Sequence, residues 1–141
     1  MRKKYIFLLL AGILMLAACK QDEPAPVVEM LDLGNDTLQL TGMFQQEVHA
    51  TSGTVKMLRR ENDQLLVLEN FKTDYGPSLY VYLSKDRGFT QSLNLGLLKS
   101  TSGTFSYEVA ATVDTREYPY VLIWCRQFAV LFGSARLETP Q

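Results

Sequence analysis

From Leu38 onward the chain alternates apolar and polar residues with a period of two, the spacing of a strand with one buried face. Phe105, Tyr107 and Val109 alternate with Thr104, Ser106 and Glu108, and Leu79, Val81 and Leu83 alternate with Tyr80 and Tyr82. Both segments predict half-buried strands, because successive side chains of extended backbone point to opposite faces. Val55 to Arg59 and Leu65 to Glu69 flank the polar stretch Arg60-Glu61-Asn62-Asp63-Gln64. They predict a hairpin with an exposed turn at Glu61 to Gln64, and with Val67 in the core. Tyr120 to Trp124 is an almost unbroken apolar run, as expected for a central strand covered on both faces. Apolar residues resume at Phe128 to Phe132 after Arg126-Gln127, and Gly133 permits a bulge before Ala135 to Leu137. Thr51-Ser52-Gly53-Thr54 recurs as Thr101-Ser102-Gly103-Thr104 with unrelated flanks, which reads as one turn chemistry used twice, glycine supplying the special backbone angles. No segment carries a convincing amphipathic-helix period. Short strands about 8–12 residues apart predict an all-β fold: a single antiparallel β-sandwich or small barrel, Greek-key or jelly-roll-like, of about 8 strands.

The first nineteen residues follow a different logic. Arg2-Lys3-Lys4 is positive, Ile6 to Ala18 carries no charge, and Leu16-Ala17-Ala18-Cys19 closes the segment. The apolar run rises only about 20 Å as a helix, short of the roughly 30 Å hydrocarbon core. The segment resembles the bacterial lipobox. That resemblance implies that 1–18 is a lipoprotein signal peptide and that Cys19, thioether-linked to diacylglycerol, becomes an N-acylated first residue. Several acyl chains then hold the protein to a membrane outside the cytoplasm, in the outer membrane or at the cell surface. Residues 19–36 read as the lipidated Cys and a flexible tether, with Pro24 and Pro26 favouring extended backbone, and 37–141 as the β domain. Lys20-Gln21-Asp22-Glu23 resembles the acidic export signals of surface lipoproteins; a plain solvated spacer is the alternative.

Composition fits this division: 47% of the residues are hydrophobic and 21% charged, as in one globular domain. Removing Arg2, Lys3 and Lys4 takes 14 basic residues to 11 against 15 acids, a net charge of −4. A mildly acidic domain without a basic cluster is not expected to bind nucleic acid. The chain has one histidine, so multi-histidine metal sites are excluded, and neither a Gly-x-Ser-x-Gly elbow nor a phosphate-binding glycine loop occurs. His49 with Met43 as haem ligands is set aside for a turn-side histidine beside a strand. No metal, no dissociable cofactor and no standard enzymatic activity are expected.

What remains lies in the second half: Glu69-Asn70-Phe71, Gly76-Pro77-Ser78-Leu79-Tyr80-Val81-Tyr82-Leu83-Ser84, Leu95 to Lys99, Gly103 to Tyr107, and Val121-Leu122-Ile123-Trp124-Cys125 followed by Phe128 to Phe132. In this order and spacing, roughly from Gly42 to Leu137, the chain resembles the DM-thirteen, or "electron transfer DM-thirteen", family. Ser78 departs from the Asp that many members carry. The resemblance implies an all-β domain whose redox-active cysteine is Cys125, with Trp124, Arg126, Asn70, Gly76 and Pro77 as candidate neighbours and a redox protein as possible partner. The residues themselves also allow Cys125 to be a small apolar packing group. With Cys19 lipidated, Cys125 is the one thiol left and has no internal partner. The competing function is a non-enzymatic envelope module that binds a protein or glycan through an exposed patch of Tyr80, Tyr82, Tyr118 and Tyr120. Exposure of the Cys125 sulfur separates the two: a buried sulfur favours the binding module, and a reachable one with a polar or cationic neighbour, at a strand end near water, favours redox chemistry. Parity puts Val121, Ile123 and Cys125 on one face and Tyr120, Leu122 and Trp124 on the other. Arg126 reaches the sulfur only if the strand bends at Arg126-Gln127.

Overall fold

Apolar side chains at every second position leave one face of each segment in need of cover, and nine segments pair so that these faces meet. The structure, a computed structural model, describes residues 25–141; the expected signal segment, Cys19 and the start of the tether lie outside them. The strands are β1 (Val27–Val28), β2 (Thr37–Gln46), β3 (Thr51–Arg59), β4 (Asp63–Thr73), β5 (Leu79–Ser84), β6 (Ser92–Leu97), β7 (Ser102–Ala110), β8 (Tyr120–Cys125) and β9 (Val130–Arg136). They form one sheet in the order β1-β7-β4-β3-β2-β9-β8-β5-β6, curled into a half-barrel, as the all-β expectation required. All pairings are antiparallel except β1 with β7.

β2 is the hinge of the curl, its first part pairing with β3 and Phe44 to Gln46 with β9. At the far side of the curl, Tyr107 ties β7 to the end of β6. Its hydroxyl donates to the Leu97 carbonyl (3.0 Å) and accepts from the Lys99 N–H (2.9 Å). Burial pushes this phenol up to about 12, against the pull of the Lys99 N–H and with help from the Glu29 carboxylate, so it stays a donor at neutral pH. Inside the curl, Phe71 sits edge-on to both Phe44 and Phe105, with ring centroids 5.1 and 5.7 Å away. Leu66, Leu68, Val81, Leu83, Val121 and Ile123 complete the fully buried centre. The expected hairpin, the central position of β8 between β5 and β9, and the bulge beside Gly133 are all present, but Gln64, expected in the exposed turn, lies buried in β4 and donates to the Ala110 and Val113 carbonyls.

Four further expectations need correction. First, the tether does not extend to residue 36. Val27–Val28 pair with Gly103 and Thr104, and the Glu29 carboxylate accepts from the Ser106 N–H (3.0 Å), the Ser106 hydroxyl (2.9 Å) and the Lys99 ammonium (2.5 Å). Leu31 then packs on Leu58, Leu65 and Val67, and Asp36 pairs with Arg60 at 2.9 Å, so residues 25–36 form a strap over the outer face of β7, β4 and β3. Second, Val67 is buried, but under this strap and not in the main core, which takes its neighbours Leu66 and Leu68. Third, the repeated Thr-Ser-Gly-Thr is not turn chemistry. Both copies open strands that flank β4, and Gly53 (φ 120°) and Gly103 (φ 124°) sit where the ladders skip past Asn70 (φ 49°). A side chain at Gly103 would collide with the Val27 carbonyl, so the close approach of β1 requires glycine there. Phe128, expected within an apolar strand, instead stands exposed in the Arg126 to Ala129 turn.

Candidate functional site

Cys125 is the last residue of β8, on the inward face with Val121 and Ile123. Its sulfur is 0% exposed and donates to the Pro77 carbonyl at 3.0 Å, so the strand-end position expected of a redox thiol is present but the expected access to water is not, and burial by itself is the outcome expected of the binding module. Pro77 belongs to the turn that leads from β4 into β5. Gly76 leaves room there for the Phe132 ring, Ser78 holds φ at 56°, and the Ser78 carbonyl accepts from the Arg126 N–H at 3.1 Å. Pro77 thus touches the thiol, and Gly76 precedes it in the same turn. The turn itself is shallow: Gly76 and Pro77 are half-exposed and Ser78 is exposed. Ser78 takes part through its backbone carbonyl.

Trp124 and Arg126 go to the other face of the sheet, because adjacent strand residues point oppositely. There the Arg126 Nε donates to the Tyr82 hydroxyl at 2.6 Å, and the guanidinium lies 3.9 Å from the centre of the Tyr80 ring. The bond to Tyr82 raises the guanidinium above its usual value, so it is a permanent cation. Trp124 stacks on Phe89 with centroids 4.5 Å apart and planes 7° from parallel, while Tyr82 meets Phe89 edge-on at 4.7 Å. The loop carrying Phe89 is held by Asp86, which accepts from the Thr90 hydroxyl and backbone N–H. These bonds, the hydroxyl first, keep that carboxyl below its ordinary range. A strand bend that would bring Arg126 to the sulfur does not occur.

Asn70 is apart from both groups, exposed at the β4 bulge with its N–H bonded to the Thr104 hydroxyl at 3.1 Å. The His49 ring is committed to Asp74 (3.3 Å) and stacks on Phe132 at 3.9 Å, whereas Met43 projects into solvent from β2. Among the described residues no three His, Cys, Asp or Glu side chains converge on a point that would hold a metal ion. The expected four-tyrosine patch does not form. Tyr80 and Tyr82 are neighbours at 6.4 Å, but Tyr118 packs against the main core under the Lys85 ammonium and Tyr120 lines a separate groove with Arg87 and Ser134.

Comparison with known proteins gives one match. Residues 43–137 fit the family described as "Electron transfer DM13". The chain belongs to that family. No curated protein and no solved structure matches it. The matched stretch takes in β3 to β9 whole and ends one residue past β9, leaving β1 and the strap outside the DM13 region. Membership in an electron-transfer family supports a redox role for the domain. Sequence reasoning missed Phe89, which joins Trp124 to Tyr82. Its one signal was an isolated aromatic within the polar loop Lys85-Asp86-Arg87-Gly88-Phe89-Thr90-Gln91.

Proposed function

We propose that this DM13 protein is a cell-envelope lipoprotein, anchored through Cys19, whose redox group is the Cys125 thiol guarded by the Gly76-Pro77-Ser78 turn. The observation that carries the reading is the placement of the sulfur: at a strand end, bonded to the carbonyl of a residue that is itself half-exposed. Lifting the turn would break the bonds of Pro77 to the thiol and of Ser78 to the Arg126 N–H, and would leave the pairings of β8 with β5 and β9 in place. The chemistry open to one thiol is a two-electron oxidation by a peroxide or by a disulfide-bearing partner protein. In the first case sulfur loses its proton and becomes a sulfenic acid as the O–O bond breaks and water leaves. In the second, the S–S bond breaks, a mixed disulfide forms and the partner releases one thiol.

The test is alkylation of Cys125 in the full chain as a function of urea. Turn opening exposes little surface, so the labelling rate should rise only weakly with urea at low concentrations. A rate that follows the full urea dependence of global unfolding would make Cys125 a packing residue. The competing reading, a binding module for a protein or glycan, draws on the complete burial of the sulfur and on the half-exposed Tyr80 and Trp124 and the exposed Arg126 of the outer face. Under it, Trp124→Ala and Arg126→Ala would abolish partner capture while Cys125→Ser would not. Anchoring is read separately: Cys19→Ala should leave the detergent phase.

A further inference from the structure

We infer that the end of the half-barrel over Cys125 is a membrane-contacting surface that docks on the lipid bilayer. The inference rests on the proposed anchor at Cys19 and adds an orientation to it. Four segments meet at this end. The Val48 N–H bonds to Leu131 beside the β8–β9 turn, the Asp74 N–H to Ala50, the Leu98 N–H to Leu79 and the Arg126 N–H to Ser78. Each segment presents one large apolar side chain to solvent: Val48 67%, Tyr75 69%, Leu97 58% and Phe128 63% exposed. Isolated exposed apolar residues need no explanation, but four from four different segments at one end form a rim with no partner among the described residues.

The chain supplies the occupant. It enters the described structure at this same end, where the Ala25 carbonyl accepts from the Ser100 hydroxyl at 3.5 Å and the Thr73 N–H bonds to the neighbouring Thr101. Since residues 25–36 are bound down as the strap, only Lys20 to Pro24 separate Cys19 from the domain. Fully extended, the reach from Cys19 to Ala25 is about 20 Å. A lipid at Cys19 therefore holds this end, and not the opposite one, beside the bilayer. Tyr and Phe suit the headgroup boundary, where an aromatic body meets a wet rim.

The experiment uses the full lipidated chain in vesicles of phosphatidylethanolamine and phosphatidylglycerol. Phe128→Trp and Glu61→Trp are made singly at exposed positions, with Trp124 as a common background. Lipids brominated along the acyl chain should quench most of the added emission at position 128 and none at 61. Flotation of the vesicles separates the two readings. A protein that does not float has no anchor, and the docking falls with it. A protein that floats with position 128 unquenched is anchored but not docked, which overturns the inference alone. Shielding of position 128 only after envelope proteins are added would make the end a protein interface, and would also overturn it.

Discussion

Leu31 tests the strap directly. It is half-buried on Leu58, Leu65 and Val67, which the β3–β4 hairpin presents on its outer face. Leu31→Ala removes three carbons. Full burial would make them worth about 2.4 kcal/mol at about 0.8 kcal/mol per methylene, and half burial brings this to about 1.2 kcal/mol. No cavity term is added, because water can enter where the side chain was. For a domain of this size the urea midpoint should fall by roughly 1 M, with m near 1.2 kcal/mol/M. Trp124 is the single tryptophan and stacks on Phe89, so its fluorescence reports the transition. Val67→Ala, deeper in the same cluster, should cost about 2 kcal/mol. Because the two side chains share a contact, the double variant should cost less than the sum by about 0.5 kcal/mol. An unchanged midpoint for Leu31→Ala, with Val67→Ala destabilising as stated, would mean that the strap is not docked and that the tether runs free to Asp36.

Gly103→Ala should release β1, because the new methyl meets backbone and φ is 124°; a loss of about 1–3 kcal/mol and faster exchange of the Glu29 amide are expected, and unaltered exchange would refute the close approach. Ala129 holds φ at 53° in the β8–β9 turn, so Ala129→Gly should raise stability by up to about 1 kcal/mol, and a clear loss on thermal unfolding would contradict that backbone geometry. Burial alone would raise the Glu29 carboxyl, but its bonds to Lys99 and Ser106 outweigh this and hold it below 4.5. A depressed folded value means stability that is present above 4.5 and lost as pH falls through the folded value, so the strap should loosen in acid, and Glu29→Gln should remove that dependence.

What the sequence made legible were features that repeat along the chain. Period-two alternation located β5 and β7, the polar break at Arg60 to Gln64 located the β3–β4 hairpin, and the unbroken run at Tyr120 located a central strand. What stayed hidden depends on partners far away in sequence. β1 is two residues long and carries no period, and Glu29 finds Ser106 77 residues later. Leu65 to Leu68 is apolar at every position, so alternation could not say which residues face the main core and which lie under a cover not yet suspected. Strand parity did divide Cys125 from Trp124, and the same rule carries Arg126 outward. The Thr-Ser-Gly-Thr echo was real, but its cause is the bulge at Asn70, which is visible only once β3 and β7 are known to flank β4.

The proposed docking and the proposed thiol chemistry constrain one another, because the turn over Cys125 lies within the apolar rim. Arg126 faces Tyr80 and Tyr82 across the sheet, so it offers no charge to draw a polar oxidant to the sulfur. The sulfur bonds to Pro77, so its exit runs through the surface that docking would lay on lipid. A docked domain would then admit small uncharged or lipid-borne oxidants and exclude a bulky soluble protein. The prediction is a change in reagent selectivity. On vesicles of the full chain, a charged thiol reagent should label Cys125 more slowly than it does in detergent, while an uncharged, lipid-soluble reagent of similar size should keep its rate. Equal slowing of both would mean that docking tightens the turn itself. If neither slows while position 128 is quenched by lipid, the thiol opens away from the membrane, and a soluble redox partner becomes the better match.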